Sequence, residues 1–185
     1  MFISENKKHN NIAEYVIYMW QIEAIIRSLH FNIEDIKYTI VEQSGLDDQK
    51  QIILLKWYSD LMKKMKDQRI QEKGHLIEVR EVLDELQMLH DMLLNMIKDD
   101  KYISLFNTAK PNIHELKQKS DKMYGDIETC FNGLYGLMQM KMQKLDITEE
   151  TIDAVNTFSA MIALLARKYH DMKAGKLAFP KSMQN

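Results

Sequence analysis

The chain has 185 residues, 45% apolar and 28% charged, with 25 Lys and Arg against 27 Asp and Glu; this supports one well-buried domain, is awkward for two, and lacks the strongly basic signature of a nucleic-acid binder. A single cysteine, Cys130, excludes an intramolecular disulfide and fits a reducing compartment. The opening MFISENKK has no apolar leader-like run and no stretch approaches the roughly 18 uncharged apolar residues of a membrane span, so the expected location is cytoplasmic, away from the membrane.

Only two prolines and six glycines interrupt the chain, and neither type clusters into a linker. Asn10 or Asn11 can cap a first helix reaching about Leu29, with the stripe Ile12, Tyr15, Met19, Ile22, Ile26, Leu29 at alternating spacings of three and four. Asn32 can cap a short second helix that Gly45 ends. From Asp47 a third helix carries Leu54, Tyr58, Leu61 and Met65 on one face, with Lys56, Asp60, Lys63 and Asp67 opposite. A fourth, from about Gly74 to Lys98, aligns Leu76, Val79, Leu83, Leu86, His90, Leu93 and Ile97.

Residues 99–120 read as a broken segment, because Pro111 removes a backbone donor and disfavours helical geometry at Lys110. A sixth helix follows Asp126 with Ile127, Phe131, Leu134, Met138 and Leu145. The seventh is the best delimited, with Thr148 as cap, Glu149 and Glu150 in the first turn, Arg167, Lys168 and His170 in the last, and Gly175 beyond. No period-two run competes with this reading. The expectation is an all-α, single-domain bundle of six to seven helices over residues 1–175, followed by a mobile tail over 176–185.

Within the first helix, Glu23 and Arg27 stand four residues apart in the middle of the apolar face, among Ile12, Val16, Met19, Trp20 and Ile26. Charges are seldom taken into a core without a partner. Glu23 can orient the guanidinium so that Arg27 offers donors to an anion or carboxylate; equally, the pair can tie together a bundle interior or lie in a dimer interface.

The strings NIAEYVIYMWQIE (residues 11–23), QEKGHL (71–76), ETCFNGLYG (128–136) and LLARKY (164–169) occur in this order. Together they resemble a family of uncharacterised helical proteins of similar length found chiefly in Bacteroides-like bacteria. The resemblance implies a small helical cytoplasmic protein and supplies no catalytic residue.

Glu72 and His75 form the only Glu-x-x-His spacing, which in di-iron bundles needs a second copy and two further glutamates. Gly74 inside the motif suggests a helix boundary instead, with Gln71 and Glu72 serving the turn and first-turn capping, so no metal or cofactor is expected. His90 on its apolar stripe reads as a core imidazole hydrogen-bonded to a neighbour, and Cys130 as a small buried hydrophobe. Gly133 and Gly136 are odd inside a helix and imply a close approach, by a neighbouring helix or a ligand. The fourteen methionines read as core filler, and Lys63, Lys64, Lys66, Arg69 and Lys73, interrupted by acids, as a solvated face.

Two functions stay open. One is a non-enzymatic interaction or assembly protein, self-associating through a surface that includes Tyr15, Tyr18 and Trp20, with a protein partner as a further option. The other is a small-molecule binder or enzyme with a polar pocket lined by Glu23, Arg27, Glu72, His75 and Glu128.

Overall fold

A computed structural model describes residues 2–120 and 123–177, and the side chains of all of these except 2, 3 and 5. Among the described residues the chain is all-α, with eight α-helices and no strand. The tail expected over 176–185 lies outside the described residues beyond residue 177. Packing divides the chain into two compact units, one up to Val82 and one from Leu83 onward.

The first unit holds α1 (Phe2–Asn10), α2 (Ile12–Ser28), α3 (Ile33–Ile36), α4 (Asp48–Asp67) and the start of α5 (Ile77–Asp91). The eighth helix, beyond the expected number, is α1, whose polar sequence carries no core stripe. Asn11 separates it from α2 and caps α2 by accepting from the amides of Ala13 and Glu14. Asn32 caps α3, which continues through a π turn (Lys37–Val41) and a short 3₁₀ turn (Glu42–Ser44) to Gly45 at φ +68°. Asp47 then caps α4 at the amide of Lys50. Ile12, Val16, Ile22, Ile26, Tyr58 and Met65 are among the residues buried in this unit.

Three helix ends that glycine does not mark are closed by non-glycine residues in the left-handed region, namely His30 after α2, Arg69 after α4 and Lys144 after α7. Each is followed by an amide that reaches back to the last turn: Phe31 to the Ile26 carbonyl, Ile70 to Met65 and Leu145 to Met140. These bonds satisfy carbonyls that a helix end leaves open, against a conformational cost of about 1 kcal/mol for a side chain there.

The second unit holds the rest of α5, a π turn (Met92–Met96), α6 (Asp100–Gln118), α7 (Asp126–Met142) and α8 (Glu149–Lys173). Here α6, α7 and α8 pack on one another. Helix α6 corrects the broken segment read from Pro111, because it runs unbroken through that residue. Pro111 and Asn107, whose carbonyl loses its bond to the missing N–H, are both exposed, so water can satisfy it. Ala109 and Ile113 are buried on the same helix, and their packing outweighs the lost bond. Thr148 caps α8 at the amide of Thr151, and Gly175 stands just beyond it at φ +67°.

Candidate functional site: a braced loop and an exposed helix face

Glu23 is fully buried, and each of its carboxylate oxygens is engaged. Oε1 accepts from the Leu76 amide at 2.8 Å, and Oε2 lies 2.6 Å from Nδ1 of His75 and 4.0 Å from the Arg27 guanidinium. Because a carboxylate accepts, Nδ1 of His75 is the donor in this bond. The imidazole lies against Trp20, with centroids 4.3 Å apart and planes 13° from parallel. Arg27 reaches the same loop, donating to the carbonyls of Ile70 at 3.1 Å and Gly74 at 2.5 Å.

These bonds fasten the connection 68–76 between α4 and α5 at both ends. Gly74 adopts φ +94°, a conformation open to glycine. The start of α5 is capped by Glu23 at Leu76 and by the Gln68 side chain at the Ile77 amide, 2.9 Å away. The first-turn capping expected of Gln71 and Glu72 is thus supplied by other residues, and both of those are exposed. Of the five polar candidates, Glu23, Arg27 and His75 come together. Glu72 lies on the loop surface and Glu128 is a half-buried residue of α7 in the second unit. The cluster holds the Leu76 amide, a backbone donor that burial would otherwise leave unpaired, and ties down two carbonyls of the more exposed loop. It also presents an oriented imidazole whose side chain is 25% exposed.

The aromatic candidates are placed inside the fold: Tyr15 is 6% and Trp20 2% exposed, and Tyr18 stacks on Trp57 with centroids 6.5 Å apart. The chain itself covers Tyr15 and Trp20. Exposed apolar side chains gather elsewhere in this unit, within residues 38–53: Tyr38 at 56%, Leu46 at 38%, Ile53 at 37% and Ile52 at 70%. The sequence carried a signal for Ile52, since it stands four residues before Lys56 and so occupies the charged face of α4.

In the second unit His90 is buried, with Nδ1 2.7 Å from the Tyr102 hydroxyl and Nε2 3.6 Å from Asp126, whose other oxygen accepts from Lys117 at 2.6 Å. Nothing in the spacing of Tyr102, Lys117 and Asp126 announces this cluster, because they lie on α6 and α7. The His90 ring and Lys117 hold the Asp126 carboxyl down to about 2, from an ordinary value of 3.8. A depressed folded value means that the stabilisation is complete above the ordinary value and is lost as pH falls toward about 2. The full shift corresponds to about 2 kcal/mol, which solvent at this partly exposed carboxylate reduces to about 1 kcal/mol. Asp126→Asn is expected to remove that part of the acid-limb slope between pH 4 and 2, as read by urea unfolding. An unchanged slope would contradict the pairing. Burial pushes the Cys130 thiol well above its usual range, which disfavours a thiolate there.

Gly133 and Gly136 on α7 meet different surroundings. A Cβ on Gly133 would stand 2.7 Å from the Phe158 ring of α8, so a neighbouring helix makes the close approach, whereas a Cβ on Gly136 would meet nothing within 4 Å. Among the described residues no group of three or more His, Cys, Asp or Glu could hold a metal ion, and no helix is long and apolar enough to cross a membrane.

A family model described as "Domain of unknown function (DUF4924)" matches residues 1–176. No curated protein and no solved structure matches the chain.

Proposed function

The chain belongs to the family of that description, Domain of unknown function (DUF4924), and we propose from its own residues that it is a non-enzymatic helical interaction protein that pairs with a second copy of itself along α4. The observation that carries this reading is Ile52, a large aliphatic side chain 70% exposed in the middle of a charged helix face. Leu46 and Ile53, near it in the chain, are also partly exposed, at 38% and 37%.

The charges around Ile52 are self-complementary. Asp48 precedes it by four residues and Lys56 follows it by four, both exposed and unpaired among the described residues. In an antiparallel pairing about a twofold axis at Ile52, Asp48 of each copy faces Lys56 of the other, so one patch serves both sides. Apolar contact at the centre with two charge pairs at the rim suits a reversible dimer.

Sedimentation velocity over a concentration series tests the reading. The wild-type chain is expected to dimerise, Ile52→Glu to be monomeric at every concentration, and Lys56→Asp to weaken association at least about tenfold by opposing like charges. Adding Asp48→Lys to Lys56→Asp restores opposite charges and is expected to recover the dimer. A wild-type monomer, or a dimer indifferent to Ile52→Glu, would sink it. The oriented His75 imidazole stays outside this function; its bond to Glu23 belongs to the brace of the loop.

A further inference from the structure

The second unit contains a partly open cavity of about 320 Å³, within the size range of small-molecule sites and lined by residues of α6, α7 and α8. Two contacts set its length. Asn112 of α6 donates to the Thr157 hydroxyl of α8 at 3.2 Å, and seven residues further along α6, Lys119 lies in the field of Glu150, seven residues back along α8. The two helices run antiparallel here. At the rise of an α-helix the lining between these two levels spans about 10 Å, the length of one small molecule.

The two ends of the groove differ in character. At the Asn112 end, Phe158 and Leu116 close over the bare backbone of Gly133, where a Cβ would stand 2.7 Å from the Phe158 ring. That end is packed and apolar. One turn along α7, Gly136 borders open space, and Leu137 and Val155 continue the apolar wall. At the far end stand Glu115, Lys119 and Glu150, all exposed.

The ionic end is unbalanced. Lys119 gives its ammonium to Glu115 at 2.6 Å, and Glu115 first and Glu150 after it hold that ammonium above its usual range. Glu150 itself, in the first turn of α8, forms no hydrogen bond or ion pair among the described residues. Two carboxylates therefore face one ammonium, and one of them has no donor. An anion entering here would meet the unpaired carboxylate and an ammonium already taken, whereas an uncharged molecule would leave the imbalance as it stands. A cation with an apolar body answers both ends, and the Phe158 ring offers an aromatic body a favourable contact. We propose that this groove binds a small arylalkylamine, its ring beside Gly136 between Leu137 and Val155 and its ammonium donating to the Glu150 carboxylate.

The test is isothermal titration calorimetry of the full chain with 2-phenylethylamine. Saturable binding is expected. 2-Phenylethanol, which lacks the charge, and 3-phenylpropionate, which reverses it, are each expected to bind at least about tenfold more weakly. Glu150→Gln should weaken the amine by a similar factor. Gly136→Leu should abolish binding by filling the floor of the groove, and circular dichroism checks that both variants keep their helices. No saturable binding up to about 10 mM amine would overturn the proposal. Equal binding of the amine and the alcohol would overturn it by showing a cleft indifferent to charge, and amine binding that either variant leaves unchanged would place the site elsewhere. Because the groove and the α4 face lie in different units, amine binding by the Ile52→Glu monomer keeps the two proposals independent.

Discussion

Replacing Glu23 with alanine is expected to lower the stability of the chain by about 3–5 kcal/mol, the cost of removing one partner from a buried charged network. The substitution leaves the Leu76 amide and the Nδ1–H of His75 without their acceptor, and it removes the counter-charge 4.0 Å from Arg27. Urea unfolding followed by circular dichroism should show the loss as a lower midpoint with little change in slope. Amide exchange should show it locally, with Leu76 losing protection before the rest of α5. Arg27→Met should cost less, because the Ile70 and Gly74 carbonyls it serves can turn to water at an exposed loop. The double variant should fall short of the sum, since both residues hold one loop. A loss below about 1 kcal/mol for Glu23→Ala would mean that the loop stays in place without its brace.

The second large effect is a contrast between two glycines one helical turn apart. Gly133→Ala is expected to destabilise by about 2 kcal/mol, because the new methyl group collides with the ring of Phe158, itself 2% exposed and unable to swing aside. Gly136→Ala is expected to stabilise by about 1 kcal/mol, because alanine is the better helix former and its Cβ enters open space. Thermal unfolding of the two variants should therefore move in opposite directions from wild type. If both rise, Phe158 can yield and the contact is looser than its geometry implies. If both fall, the space beside Gly136 is occupied by a partner.

Much of the secondary structure is legible in the residues, and the reason is locality. The caps at Asn11, Asn32, Asp47 and Thr148 form as their residue types predict, since each side chain accepts from an amide two or three positions ahead. The stripe of the fourth predicted helix is buried from Leu76 through Leu93, His90 included. The departures have local causes of another kind. Pro111 interrupts a pattern without breaking a helix, and non-glycine residues close helix ends that a search for glycine passes over.

The candidate site was legible only as a set of improbable residues. Glu23 and Arg27 stand out because two charges interrupt an apolar face, and Gly133 because glycine interrupts a helix. Their meaning depends on groups far away in the chain. Glu23 meets His75 and Leu76 across 52 and 53 positions, and Gly133 differs from Gly136 only because α8 brings Phe158 to one of them. Its position four residues before Lys56 puts Ile52 on the charged face of α4, and burial adds that the fold leaves it 70% exposed there.

The all-α class, most helix starts and the oddness of a few residues follow from local order in the chain, because periodicity, capping and propensity act over one or two turns. Which charges brace a loop, which glycine is crowded, which aromatic rings are covered and which aliphatic side chain is left open were decided only by tertiary structure. These are distances between residues that the backbone separates and packing brings together, and no local preference encodes them.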